Sequence, residues 1–234
     1  MKLEILAYET TPLGTLCLRR RELVSRPGTI VTEVTLNHEF LMSSYLTESE
    51  RQLASKGVER VCRQQTSKEG LRVLVGGLGL GYTAAEVLAS SLVASVEVVE
   101  FLPEVIGWLN DGLIPLADQL NQEQRLQISH GDIYARTTAE PGYLYDLIAI
   151  DVDHSPQDVL GDQSHGFYTE TGLQKVSSHL KPGGVLGLWS YADDSPLLAN
   201  MKKVFSDVEV EEVTVWNDLI DVEQTDWLFF GRRK

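Results

Sequence analysis

The spacing of apolar and polar positions divides the chain into two parts. In the first 45 residues the runs "LEILAYET", "TLCLRRR" and "IVTEVTL" are β-like, and "TPLG" and "SRPG" between them are typical of turns. This part is predicted to be a small antiparallel β region. Residues 47–62 are predicted to form a helix, because Thr47 and Glu50 have the spacing of a capping box and a partial apolar face follows.

From residue 71 onward, strand-like and helix-like segments alternate. The strands are predicted at "RVLVGG", "VASVEVVE", "RLQISHGD", "YDLIAIDVD" and "VLGLWS", and helical patterns lie between most of them. Two further strands, "VEVEEVTVW" and "TDWLFFGRR", follow with no helix between them. The alternation predicts an α/β fold with a doubly wound, mostly parallel, seven-stranded sheet and an antiparallel terminal strand. We expect a β region over 1–46 and a catalytic domain over 47–234.

The composition is that of an ordinary globular protein. Of 234 residues, 43% are hydrophobic and 23% are charged, which fits one domain or one domain with a small appendage. No apolar run is long enough to span a bilayer, and the N-terminus lacks the apolar core of a signal peptide. Cys17 and Cys62 have no metal-ligand spacing, so neither a disulfide framework nor a zinc site is expected. These features predict a cytoplasmic location.

The negative charge is concentrated in one part of the chain. The net charge is −14, yet residues 1–60 contain eight acidic and eight basic residues, and residues 132–170 contain eight acids and one base. Such a field disfavours nucleic acid phosphates and favours a cationic ligand. The alternative interpretation is an acidic surface that keeps the protein in solution.

A glycine-rich turn follows the first strand of the alternating part. In "VLVGGLGLGYTAAEV", Gly77, Gly79 and Gly81 permit tight turning and the close approach of a ligand to the backbone. The absence of lysine excludes a phosphate-binding P-loop. The position between a strand and a helix favours nucleotide or nucleoside binding, and the alternative is a turn that needs glycine only for packing.

Acidic residues end the next two strands. Glu100 lies 19 residues after Gly81, where a carboxylate can accept hydrogen bonds from both ribose hydroxyls, or can be a solvated strand-end residue. Asp132 follows a glycine in "SHGDIYA" and can accept from an exocyclic amine such as that of adenine. It can also cap a following helix, and the two roles are compatible.

The segment "YDLIAIDVDHSP" ends an apolar strand with charged residues. In an open α/β sheet, ligands lie beyond the carboxyl ends of the strands, where Asp151 would face the reacting end of the ligand. A carboxylate there can hold a cationic amine and accept its proton. Asp153 and His154 either contact the acceptor substrate or only shape the turn before a proline. Trp189 ends the fifth strand and can border the pocket.

From about residue 40 to the end, these motifs resemble the spermidine synthase family, the polyamine aminopropyltransferases. The resemblance implies a Rossmann-like catalytic domain of the class I S-adenosylmethionine-dependent methyltransferase fold, a small N-terminal β domain and a homodimer. It also implies S-adenosylmethionine or its decarboxylated form as co-substrate, no metal, and a small amine as acceptor. By motif, Glu100 matches the ribose-binding acid, Asp132 the adenine-binding acid and Asp151 the catalytic aspartate.

Two departures from the family pattern affect the functional prediction. The family has an aspartate in the glycine motif that grips the donor's amine, and here that position is Leu80. A second acid three residues after the catalytic one is replaced by His154. The binding of an adenosyl sulfonium is therefore better supported than aminopropyl transfer, and the pattern resembles a shorter, divergent branch of the family.

Several functions remain open at this point. Aminopropyl transfer is favoured by the family match and by the acidic segment, whereas methyl transfer from S-adenosylmethionine is favoured by Leu80. An NAD-dependent dehydrogenase would share the glycine turn and Glu100 but fits the later carboxylates less well. A nucleoside-binding protein or scaffold that has lost its activity would also explain Leu80 and His154.

Overall fold

The computed structural model describes residues 3–64, 70–152, 166–193 and 196–234. The N-terminal part is a four-stranded antiparallel sheet, with strands in sequence order. Its strands are β1 (Leu3–Thr11), β2 (Gly14–Glu22), β3 (Ile30–Leu36) and β4 (Glu39–Ser43). The Asn37 side chain joins two turns of this sheet, because it accepts from the Thr15 backbone N–H at 2.9 Å and donates to the Leu13 carbonyl at 3.3 Å.

The second sheet has seven strands in the order β10-β11-β9-β8-β5-β6-β7. Those strands are β5 (Leu71–Gly76), β6 (Val93–Glu100), β7 (Leu126–His130), β8 (Tyr145–Ile150), β9 (Leu180–Ser190), β10 (Ser206–Asn217) and β11 (Val222–Arg232). Strands β5 to β9 pair in parallel, whereas β11 is antiparallel to both β9 and β10. The carboxyl ends of the five parallel strands therefore share one edge with the amino-terminal part of β11.

Helices cover both faces of this sheet. They are α1 (Glu48–Cys62), α2 (Tyr82–Ala89), α3 (Pro103–Asn110), α4 (Ala117–Asn121), α5 (Ile133–Thr138), α6 (Glu170–Ser178) and α7 (Leu197–Val204). Pro103 stands in the first turn of α3, where no intrahelical N–H is needed.

Two apolar clusters lie on opposite faces of the sheet. Because side chains alternate along a strand, Leu147 and Ala149 of β8 join one cluster, whereas Ile148 and Ile150 join the other. The first cluster includes residues of α1 to α4, and the second includes residues of α5 to α7. Every residue of β8 is buried, as expected for a central strand covered on both faces.

The observed architecture confirms the predicted fold class. The sequence did not predict β4, α4 or α5, and β9 begins at Leu180, before the predicted strand "VLGLWS". The capping box was wrong: the Thr47 side chain makes no cap hydrogen bond and instead accepts one from Arg51 Nε at 3.2 Å. Among the described residues, no helix has the length and apolar character needed to cross a membrane.

Candidate active site

A cavity of about 1010 Å³ opens at the carboxyl edge of the parallel strands. Its walls come from the strand ends and following loops, from the start of α1, from β4, and from the β10–β11 hairpin. The predicted site residues that line it are Gly77, Gly79, Glu100, Asp132, Asp151 and Trp189. Asp153 and His154, predicted to contact the substrate, lie outside the described residues.

At Gly77 in the glycine-rich turn, any side chain would clash with the backbone of a neighbouring strand end. Gly77 has φ +90°, and a Cβ at this position would lie 2.7 Å from the Asp151 carbonyl oxygen. The turn from β5 can therefore pass close to the end of β8. Gly79, at φ +52°, lines the cavity. Gly81 is the N-cap residue of α2 and faces Leu120 rather than the cavity, so a direct role in ligand binding stays a prediction.

Glu100 ends β6 and fixes the backbone on both sides of it. Its Oε2 accepts from the Leu78 N–H at 2.7 Å, and its Oε1 accepts from the Leu102 N–H at 2.8 Å. Burial raises the pKa of Glu100, and these backbone donors oppose that rise because they stabilise the carboxylate. The side chain thus holds the glycine turn and the start of α3 in place at the cavity wall.

Asp132 both caps a helix and presents a free acceptor. Its Oδ1 accepts from the Tyr134 N–H at 2.8 Å, which caps α5. Its Oδ2 is buried and has no hydrogen-bond partner within the described part of the chain. A buried acceptor without a partner is costly, so the atom is suited to a ligand donor such as an amino group.

Asp151 immediately follows β8, and its backbone N–H bonds to the Gly76 carbonyl at 3.1 Å. The pKa of its carboxyl group is raised well above the ordinary value, first by desolvation and then by the negative charges of Glu50 and Asp226. A carboxyl with a raised pKa is a stronger base once it is deprotonated.

Two acids that the sequence analysis did not assign to the site share the cavity wall with Asp151. Glu50 lies in the first turn of α1, and Asp226 lies on β11. Burial raises the pKa of Glu50 to about 7, with a further contribution from the charge of Asp226. Burial also raises the pKa of Asp226. The three carboxyl groups therefore form a cluster, called the acid trio below.

The charged side chains that line the cavity are mostly acidic. Its described lining contains seven acidic side chains and a single basic one, Arg21. The Arg21 guanidinium is already paired with Glu33 at 2.7 Å. A cavity of this kind favours cationic ligands and disfavours carboxylates.

The β10–β11 hairpin forms the wall beside the acid trio. Leu219 and Ile220 in its turn line the cavity. Asp218 in the same turn is paired with Arg26, which follows β2, at 2.5 Å. This ion pair joins the hairpin turn to the N-terminal sheet.

Comparison with solved structures shows which fold this arrangement belongs to. A spermidine synthase in complex with the transition-state analogue AdoDATO matches with a TM-score of 0.73 and 17% identity, over 99% of this chain and 74% of that one. The spermidine synthase from Thermotoga maritima matches with a TM-score of 0.72 and 16% identity, over 99% and 73%. A probable spermidine synthase from Corynebacterium glutamicum ATCC 13032 matches with a TM-score of 0.65 and 15% identity, over 97% and 79%.

The chain has the fold of a spermidine synthase. The sequence itself matches no family model and no curated protein. The predicted resemblance is thus confirmed in the fold, which includes the N-terminal sheet because the matches cover nearly the whole chain.

Leu80 marks a difference from the spermidine synthase motif in the glycine turn. It is 4% exposed, lines the cavity and packs in the cluster that includes Leu78. An apolar side chain there cannot hold a cationic amine, so any such group must be held elsewhere in the cavity.

The acid trio does not have the arrangement of a metal site. Within the ranges that the structure describes, no group of three or more histidine, cysteine, aspartate or glutamate side chains is placed to hold a metal ion. What the described residues offer is a set of hydrogen-bond acceptors and negative charges that line one cavity.

Proposed function

We propose that this protein is a transferase that moves an aminopropyl group from decarboxylated S-adenosylmethionine to a small cationic amine. The observation that carries the proposal is the convergence of Glu100, Asp132 and Asp151 on one cavity from successive strand ends. The spermidine synthase fold agrees with it. A dimeric state and a cytoplasmic location remain predictions.

The ends of β5, β6 and β7 would bind the nucleoside. Gly79 lets the ligand approach the backbone, and Glu100 at the cavity wall would accept from a ribose hydroxyl. The free Oδ2 of Asp132 would accept from the adenine amino group. These three strands are neighbours in the sheet, so the groups lie along one side of the cavity.

Asp151 would act as the base. Its carboxylate accepts a proton from the acceptor ammonium, and the freed nitrogen lone pair forms a bond to the carbon next to the sulfonium. The C–S bond breaks, and its electron pair returns to sulfur, which leaves a neutral thioether. Positioning and deprotonation supply most of what such a transfer requires, so one carboxylate base is sufficient.

The charge of the cavity favours the decarboxylated donor. S-adenosylmethionine carries a carboxylate, which would enter a cavity with seven acidic side chains and one already paired arginine. The decarboxylated molecule carries only positive charges. We expect the cavity to discriminate between them by repulsion of the carboxylate.

Methyl transfer from S-adenosylmethionine is the second candidate, and Leu80 is the observation that favours it. Leu80 lines the cavity where an aminopropyltransferase would be expected to hold the donor's amine. Both reactions can use the same base, and both release a neutral thioether, although the thioether differs between them, so the donor decides which reaction occurs.

Calorimetric titration with S-adenosylmethionine, its decarboxylated form and methylthioadenosine tests the proposal. We expect methylthioadenosine to bind and the decarboxylated donor to bind at least about tenfold more tightly than S-adenosylmethionine. The reverse preference would establish the methyltransferase alternative. If none of the three binds, and reduction of a nicotinamide cofactor is seen instead, the dehydrogenase hypothesis replaces both.

Asp132→Asn makes this test specific to the site. Asparagine is as good an N-cap as aspartate, so α5 keeps its cap, whereas the amide nitrogen cannot accept from adenine. We expect nucleoside affinity to fall about tenfold or more. Asp118→Asn, at an exposed position of α4, makes the same change of charge and should leave affinity unchanged.

A further inference from the structure

A second cavity, of about 250 Å³, lies towards the amino-terminal ends of the parallel strands, away from the candidate active site. Its position follows from the register of β11, because Arg232 at the end of that strand pairs with Val185 of β9 and with Ser206 of β10. Arg60 and Arg63, at the end of α1, also line it. No described residue lines both cavities.

The charged residues that line this second cavity are three arginines and two acids. The side chains of Arg60 and Arg232 are only 5% and 8% exposed, whereas those of Asp207 and Glu209 are 55% and 45% exposed. The positive charges are therefore buried, and the negative charges lie at the surface, where water screens them. This second cavity is called the arginine pocket below.

Arg60 has more hydrogen-bond donors than the described residues satisfy. A guanidinium group carries five N–H groups. Nη1 of Arg60 donates to the Lys56 carbonyl at 3.2 Å, and Nη2 donates to Glu209 at 2.6 Å and to Glu211. Nε is buried and has no partner in the described part of the chain. Nε and one N–H of Nη1 are thus left without an acceptor there.

Arg232 is held mainly by backbone carbonyls and has donors to spare as well. Its Nη1 donates to the Gly183 carbonyl at 2.7 Å, and its Nη2 donates to the Arg60 carbonyl at 2.7 Å. Its Nε donates to Asp207 at 3.2 Å. The second N–H of each Nη has no acceptor among the residues described. Because the fold already fixes this guanidinium, little side-chain entropy remains to be lost when it binds an oxyanion.

These surplus donors call for a partner with several acceptor oxygens. A buried donor without an acceptor costs stability, and buried polar groups in folded proteins are nearly always paired. The backbone beside the pocket is also irregular, since Asp207 has φ +46° and the register of β10 shifts between Ser206 and Glu209. Such bulges occur at sheet edges and next to functional sites, where they redirect a side chain.

We propose that the arginine pocket binds a phosphate dianion, as inorganic phosphate or as the phosphate group of a small metabolite. The phosphate oxygens would accept from the surplus N–H groups of Arg60 and Arg232, and Arg63 would add a third positive charge. The Phe230 ring, with its centre 4.1 Å from the guanidinium carbon of Arg60, supports that group from one side. The site uses no residue of the proposed transferase mechanism.

Calorimetric titration with inorganic phosphate at about pH 8, where phosphate is mainly a dianion, tests the proposal. We expect one site with a dissociation constant of about 1 mM or below. The melting temperature should rise with phosphate concentration. Sodium chloride at matched ionic strength should produce neither effect. Glycerol phosphate distinguishes the two sources: tighter binding than inorganic phosphate indicates a phosphorylated metabolite, and equal or weaker binding indicates the free ion.

Two arginine variants test whether binding occurs in the pocket. Arg60→Lys keeps the charge but loses the planar fork, so the dissociation constant of phosphate should rise about tenfold or more. Arg63→Gln removes a charge from a half-exposed position and should raise it about threefold or more. Arg26→Gln breaks a comparable exposed ion pair in the turn after β2, and should leave phosphate affinity unchanged.

Asp207→Asn gives a readout that a purely structural role would not move. Removal of this negative charge should tighten phosphate binding about threefold or more, because a repulsion is lost. The fold should be kept, since asparagine tolerates a positive φ and its amide oxygen can still accept from Arg232 Nε. Asp118→Asn, at an exposed position of α4, makes the same change of charge and should not alter the affinity.

The outcomes are separate from those that test the proposed function, because no nucleoside or amine is present. Absence of phosphate binding, or an equal response to chloride, would overturn the proposal, and water would then satisfy the buried donors. An affinity that changes in neither Arg60→Lys nor Asp207→Asn would place the phosphate elsewhere and would overturn it as well. Weaker binding in the first variant and tighter binding in the second would support it.

Discussion

Two groups of carboxylates line the same cavity, yet their surroundings differ. Glu100 and Asp132, which we propose bind the nucleoside, accept hydrogen bonds from the backbone N–H groups of Leu78, Leu102 and Tyr134. In the acid trio, by contrast, burial first raises the pKa values of Asp151 and Glu50, and the charges of neighbouring carboxyl groups raise them further. Backbone donors oppose the effect of burial in the first group, whereas neighbouring negative charges add to it in the second.

The difference shows how one residue type serves two purposes. A carboxylate held by backbone donors is rigid and ready to accept from neutral hydroxyl or amino groups. A cluster with raised pKa values takes up protons when empty and gives them up to a cation. The first arrangement suits recognition of a nucleoside, and the second suits the binding and deprotonation of an amine.

The largest effect is expected from Asp151→Asn. Because the amide cannot accept the proton of the acceptor amine, turnover should fall about 100-fold or more. Methylthioadenosine affinity should stay within about twofold, since Asp151 is not among the groups proposed to hold the nucleoside. Steady-state assays paired with calorimetry measure both quantities. Equal turnover in the variant would remove Asp151 from the role of base.

Glu100→Gln, unlike Asp151→Asn, should lower nucleoside affinity. One backbone N–H at Leu78 or Leu102 would then face an amide N–H₂ group, so the turn loosens and nucleoside affinity falls about tenfold or more. Amine affinity in the absence of nucleoside should change little. A variant that loses both affinities equally would show that the two sides of the cavity are not independent.

The fold was largely predictable because the signals are local. Alternating strand and helix patterns with turn residues between them define the parallel sheet, and the paired strands at the end define its antiparallel edge. Short elements escaped prediction. Strand β4 has five residues, and α5 has six, which is too few for a periodic pattern to emerge.

The candidate site residues could be predicted only at the carboxyl ends of the parallel strands, where ligands bind in open α/β sheets. Glu100, Asp132 and Asp151 lie at or just after such ends. Asp226 does not, because β11 runs antiparallel and brings its amino-terminal part to the cavity. Glu50 has the spacing of a helix-capping residue in the sequence, and only the tertiary structure shows that it faces the cavity instead.

Glu50→Gln should stabilise the protein at neutral and alkaline pH. The folded pKa of about 7 lies above the ordinary value of 4.5, so the contribution of Glu50 to stability is present below pH 4.5 and is lost as pH rises through 7. Glutamine carries no charge to bury, so the variant should not lose this stability as the pH rises. We expect a gain of about 1–3 kcal/mol at pH 8 that shrinks towards pH 4.5.

Thermal unfolding followed by circular dichroism between pH 4.5 and 8 measures this gain. For a chain of this size, the melting temperature should rise by about 2–4 °C for each kcal/mol of added stability. Glu59→Gln, on the exposed face of the same helix, should show no gain that grows with pH. A constant difference between Glu50→Gln and the unmodified protein at every pH would contradict the raised pKa.

The smallest effect is expected from the ion pair that joins the hairpin turn to the N-terminal sheet. Arg26 is 59% exposed and Asp218 is 22% exposed, so Arg26→Ala should cost less than about 1 kcal/mol of stability.

Because Leu219 and Ile220 follow Asp218 in the cavity wall, loosening this turn should act on the acceptor side alone. We expect KM for the amine to rise about two- to fivefold in Arg26→Ala, with nucleoside affinity unchanged. High salt should raise KM of the unmodified protein towards that of the variant, since it screens an exposed pair. Arg63→Ala breaks an exposed ion pair with Glu59 that lies outside the cavity, and it should leave KM as it is. If Arg26→Ala also leaves KM unchanged, the hairpin turn does not depend on this ion pair, and the acceptor wall is held by its apolar contacts.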